Sequence, residues 1–94
     1  CGAVTAAYEG ADGSEYINRI INYINPAIET AKGHHGEHTT VDHIIMENII
    51  LQMQQAYEMS DTLQQLISAG EFAIVGGLYD MASGEVRFMG KAIY

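Results

Sequence analysis

Cys1, the histidines His34, His35, His38 and His43, and the carboxylates Asp12, Glu15, Glu37, Glu47, Glu58 and Asp80 are the groups whose chemistry is worth weighing in this chain. Cys1 leads into Gly2 and Ala3. A thiol at a strand-to-helix turn can be held deprotonated by the helix N-terminus and act as a metal ligand or nucleophile. With no second cysteine, spacing leaves a plainer alternative open, a small buried residue that happens to carry sulfur, because one ligand does not make a site. His34-His35-x-x-His38 is a compositional cue for a transition metal. Gly33 and Gly36 flank it, and it lacks the rigid i, i+4 placement of a His-Glu-x-x-His helix. The expectation is a mobile, solvated loop, with His43 partly exposed near the start of the next helix. The carboxylates Asp12, Glu15, Glu47, Glu58 and Asp80 fall on loops and wet faces without catalytic pairing, and Asp80 is expected to cap a turn. There is no Ser-His-Asp arrangement, phosphate-cradling glycine loop or nucleotide fingerprint.

The elements that must carry these groups are read from periodicity. Phe72-Ala73-Ile74-Val75-Gly76-Gly77-Leu78-Tyr79 has no charge before Asp80, so it predicts a strand covered on both faces. Gly76-Gly77 within it implies close approach by a neighbour. Asp80 to Glu85 predicts a turn with Gly84 at positive φ, and Val86 to Met89 alternates as a half-exposed strand. Upstream, the small residues from Cys1 to Tyr8 suit a strand-to-helix turn, and Glu9 to Gly13 a loop. Ser14 is an N-cap candidate for a helix whose apolar side is Tyr16, Ile17, Ile20, Ile21 and Ile24. Pro26 is expected to stop or kink that helix, with Ala27 to Ala31 adding a turn or two. Lys32 to His38 is expected as a polar loop. Thr39 and Asp42 resemble a capping box for a helix over about Val41 to Met59. Ser60 or Asp61 caps a short helix through Leu63, Leu66 and Ile67 that ends at Gly70. Helices ending in a doubly buried strand imply an α/β sheet with a crossover.

The bulk properties narrow the classes. The chain is 48% hydrophobic and 17% charged, with a net charge of −8 and only Arg19, Lys32, Arg87 and Lys91 positive. No basic patch is present to neutralise phosphates, which argues against nucleic acid as a partner and disfavours anionic membrane surfaces. No apolar run is long enough to span a bilayer, and no signal peptide is visible. A lone cysteine fits a reducing cytoplasm. A doubly covered strand with one certain partner, residues 86–89, leaves an edge open to association. The chain is therefore expected not to be a stable monomer. It opens on Cys rather than Met, and the expectation is a truncated or processed chain whose N-terminal part lies upstream.

Four segments resemble the β-class carbonic anhydrases. Cys1-Gly2-Ala3-Val4 resembles the family's Cys-Gly-Ala-Val, where the cysteine completes a His-x-x-Cys pair of zinc ligands. Asn48-Ile49-Ile50-Leu51-Gln52 resembles Asn-Val-x-x-Gln in its long helix. Asp61-Thr62-Leu63-Gln64-Gln65-Leu66-Ile67-Ser68-Ala69-Gly70 is similar to its short helix ending in Gly. Ile74 to Val86 is similar to its Val-Gly-Ala-x-Tyr-Asp-Leu-x-Thr-Gly-x-Val strand and hairpin. The matches run in the family's order across nearly the whole chain.

The resemblance implies the C-terminal portion of a mostly parallel α/β sheet flanked by helices, residues 1–94 forming a single partial domain with a terminal strand-turn-strand. It implies a zinc lyase that interconverts carbon dioxide and bicarbonate, in which zinc held by two Cys and one His lowers the pKa of a bound water. It implies homo-oligomers, dimers or multiples of dimers. Of the zinc ligands only Cys1 can be carried over. The first Cys, the His and an Asp-Arg pair that helps position the hydroxide would lie upstream, so this chain alone is expected to be inactive. The alternative is a non-catalytic carbonic anhydrase-like domain for assembly or binding that lacks the metal site. A third reading is a small metal-binding module built on His34, His35 and His38.

Overall fold

The computed structural model describes residues 1–89. Their chain contacts divide into two units, Cys1–Asn48 and Ile49 onward, with the boundary inside a helix. Four α-helices run in order: α1 (Gly2–Glu9), α2 (Glu15–His35), α3 (Val41–Glu58) and α4 (Asp61–Ser68). A 3-10 turn, Gly36–His38, joins α2 to α3, and β1 (Gly77–Tyr79) and β2 (Val86–Phe88) follow α4.

In the first unit the small-residue segment forms a helix rather than the expected strand-to-helix turn. Ala3, Ala6 and Ala7 are strong helix formers, and their short side chains let α1 pack on α2. The end of α1 is closed by Gly10 at φ 70°, with the Gly10 amide donating to Ala7 and the Ala11 amide to Ala6. This is the glycine-terminated arrangement that satisfies the last helical carbonyls. Ser14 caps α2 as read, its Oγ accepting from the Ile17 amide at 3.2 Å. Of the anticipated apolar side, only Ile21 and Ile24 are buried; Tyr16, Ile17 and Ile20 are exposed.

Pro26 does not stop α2, which continues to His35. The missing amide frees one bond to the Asn22 carbonyl, and both Asn22 and Pro26 lie on the exposed side, where water can take the place of the lost donor. Burial of Ile24, Ala27, Ile28 and Ala31 then carries the helix past the break. The expected loop from Lys32 to His38 is accordingly the last turn of α2 plus the 3-10 turn. Thr39, expected as the cap of α3, is instead buried, and its hydroxyl donates to the Gly36 carbonyl at 2.7 Å. The cap is Thr40, one residue later. Ile44, fully enclosed, completes the core of this unit together with Val4 and Ala7.

The second unit begins within α3. Ser60 caps α4, its Oγ accepting from Leu63 at 3.1 Å. The helix closes at Gly70, φ 74°, with Gly70 donating to Ile67 and Glu71 to Leu66. The turn between the strands is as read: Asp80 Oδ1 accepts from the Ala82 amide at 2.9 Å, and Gly84 takes φ 76°.

The long strand is the principal correction. Only Gly77, Leu78 and Tyr79 pair, antiparallel with Phe88, Arg87 and Val86, and Met89 donates to the Gly76 carbonyl to extend the ladder. Phe72, Val75 and Tyr79 are exposed, as is all of β2, so neither the double cover nor the half-exposed alternation is realised. Among the described residues the sheet has these two strands, with no parallel pair and no helix-covered parallel sheet. Continuous apolar character encodes a need for cover, and among the described residues the outer edge of β1 pairs with no strand. Close approach at the Gly-Gly pair is realised at Gly76, which is buried beside Ile49 and Met53 of α3.

Candidate functional site

Cys1 stands at the N-cap of α1, exposed, its carbonyl accepting from the Thr5 amide and hydroxyl at 3.0 Å each. No acidic residue occupies the first turn of α1. Val4 and Ala7 anchor the helix by burial, and the Tyr8 hydroxyl donates to the Thr39 carbonyl at 3.1 Å, so the position of Cys1 is set by packing one turn further on. The alternative of a small buried residue does not apply, because the residue is open to solvent.

The histidines come together differently from a loop. His34 and His35 end α2, His43 sits in the first turn of α3, and the His35 and His43 rings stack at 3.6 Å between centroids and 9° between planes. His34 stands edge-on to His35 at 6.2 Å, and its Nδ1 lies 3.0 Å from Glu47 Oε1. Thr40 and His43 exchange bonds: the Thr40 amide donates to His43 Nδ1 at 3.1 Å, and the His43 amide donates to Thr40 Oγ1 at 3.2 Å. That is a capping box in which an imidazole replaces the usual carboxylate. The sequence carried a signal for it, Thr40 three residues before a side chain with an acceptor nitrogen.

Neither arrangement gathers a metal's worth of donors. Among the described residues no group of three or more His, Cys, Asp or Glu side chains is placed to hold a metal ion. Two imidazoles lying face to face aim their nitrogens along parallel planes rather than at one point, and His34 is committed to Glu47. The donors of these residues therefore do not by themselves fit the four-coordinate site that zinc needs. Asp12, Glu15 and Asp80 have structural partners: Asn18, Arg19 and the Ala82 amide. An open groove of about 590 Å³ beside α4 is lined by Tyr57, Asp61, Gln64, Gln65, Ser68 and Ala69, with no histidine or cysteine.

With the geometry in place, the comparison with known families is decisive. The carbonic anhydrase family model matches residues 1–86. The chain belongs to the β-class carbonic anhydrase family. No curated protein matches the chain. The match takes in Cys1 at the head of α1, the long helix α3, the short helix α4 and the turn into β2, which are the four segments that carry the resemblance. The histidine junction lies within the matched span. No helix among the described residues is long and apolar enough to cross a membrane.

Proposed function

We propose that this chain is the scaffold portion of a zinc-dependent carbonic anhydrase, a lyase that hydrates carbon dioxide reversibly to bicarbonate. Cys1 is its one contribution to the metal. The observation that carries this reading is the family match over residues 1–86, which begins on Cys1 at the start of a helix. When bound, zinc supplies a water acidified towards neutral pH, the nucleophile of such lyases. The remaining donors come from outside these 94 residues, so the chain alone is inactive. The same reading supplies what the apolar run from Phe72 to Leu78 lacks: further strands, mostly parallel, and a second subunit in a dimer or multiple of dimers. A cytoplasmic setting agrees with the single exposed thiol.

The experiment has two arms. The 94-residue chain is titrated with zinc and assayed for hydration by stopped flow; neither tight zinc nor activity is expected. The product of the whole gene is then assayed, with and without Cys1→Ser. It is expected to hold zinc and hydrate carbon dioxide, and the variant to lose most of both. Stoichiometric zinc on the chain alone would sink the donor shortage. A zinc-free gene product would move the protein to the non-catalytic alternative, a domain for assembly or binding.

A further inference from the structure

The histidines at the end of α2 and the start of α3 do something that metal chemistry does not explain. We propose that this junction is a proton-operated clasp, closed while His43 is neutral and loosened when His43 takes a second proton. The argument is geometric and independent of the zinc reading. Because the Thr40 amide donates to His43 Nδ1, that nitrogen carries no hydrogen, and the ring is the Nε2–H tautomer. A proton added at Nδ1 would set one donor against another at 3.1 Å and open half of the cap. It would also place a positive ring 3.6 Å from the stacked ring of His35.

The titratable and charged residues of the elements at this junction are Lys32, His34 and His35 on α2, Glu37 and His38 in the 3-10 turn, and Asp42 and Glu47 on α3 itself. The best-placed carboxylate, Glu47, is already engaged by His34 at 3.0 Å, and its side chain is only 18% exposed. The sign follows from which form the fold uses. The capped state requires the neutral His43 ring, so the clasp is complete while Nδ1 is free to accept and is lost as falling pH places a proton there. The His34–Glu47 pair works the other way, since it strengthens when His34 is protonated, so the two must be separated by mutation. The element biased is the entry of α3.

The test uses the full 94-residue chain, ¹⁵N-labelled. At about pH 7.5, His43 is expected as the Nε2–H tautomer in imidazole nitrogen spectra. Between about pH 7.5 and pH 5.5, exchange protection of the Thr40 amide, corrected for intrinsic rate, is expected to fall roughly fivefold, the size of a lost cap. His43→Glu supplies a carboxylate that stays ionised in this window and should keep the protection. His34→Gln should leave the fall in place. A neutral Nδ1–H tautomer, unchanged Thr40 protection across the range, or an equal fall in His43→Glu would overturn the proposal. The tautomer measurement decides even if a variant fails to fold.

Discussion

Val4, Ile24, Ala27, Ala31 and Ile44 in the first unit are between 0 and 5% exposed, whereas Phe72, Val75 and Tyr79 in the second are 46, 47 and 60% exposed. Both stretches are apolar, and the difference lies in where their partners are encoded. An amphipathic helix finds its cover in the next helix of the same chain: α1 lies on α2, and the start of α3 closes the core with Ile44. A strand needs neighbours along two edges and over two faces. Here α3 supplies Ile49 and Met53 at Gly76 and β2 supplies one edge, while Ile74 and Leu78 stay half-buried and Phe72, Val75 and Tyr79 face water. Helical packing is thus self-sufficient at this length, and sheet packing is not.

That contrast can be broken by substitution. The largest effect is expected from Ile44→Ala, which empties a fully buried site in the first unit and should cost about 2–5 kcal/mol by urea denaturation. A loss within surface range would mean that the first unit is not the packed core described. Gly76→Ala probes the one tightly enclosed point of the apolar run. Its Cβ would lie 2.7 Å from both Ile49 Cγ2 and Met53 Sδ, so overpacking of about 1–3 kcal/mol is expected. Because Met53 is itself buried, a double variant with Met53→Ala should lose less than the sum of the two single variants, the mark of a shared contact. At the bottom of the scale, Phe88→Ser removes a large apolar group that is 68% exposed and should change stability by no more than about 0.5 kcal/mol. A loss several times larger would show that β2 is covered in solution, which the association expected of this chain would produce.

Legibility in the sequence followed the range of the forces. Ser14, Ser60, Gly70, Asp80 and Gly84 were readable because a cap or a turn is decided by bonds within a few residues. Helices α3 and α4 were readable from periodicity to within a residue or so. Pro26 does not stop α2, because burial on the opposite side of the helix outweighs the local rule. The run from Phe72 pairs only over Gly77–Tyr79, because its apolar character states a requirement and not its fulfilment. The role proposed for Cys1 rests on family resemblance, since its exposed place at the head of α1 does not by itself name a ligand. Convergence of His34, His35, His43 and Glu47 depends on how α2 turns into α3, which spacing alone does not encode.

The unbroken course of α2 through Pro26 has a dynamic consequence. The ladder has a missing rung at the Asn22 carbonyl while Ile24, Ala27, Ile28 and Ala31 keep the helix seated. Opening fluctuations of α2 are thereby free to nucleate mid-helix as well as fray from its tips. The solvent-side amides nearest the proline would then exchange first, while the opposite side of the same turn stays shut.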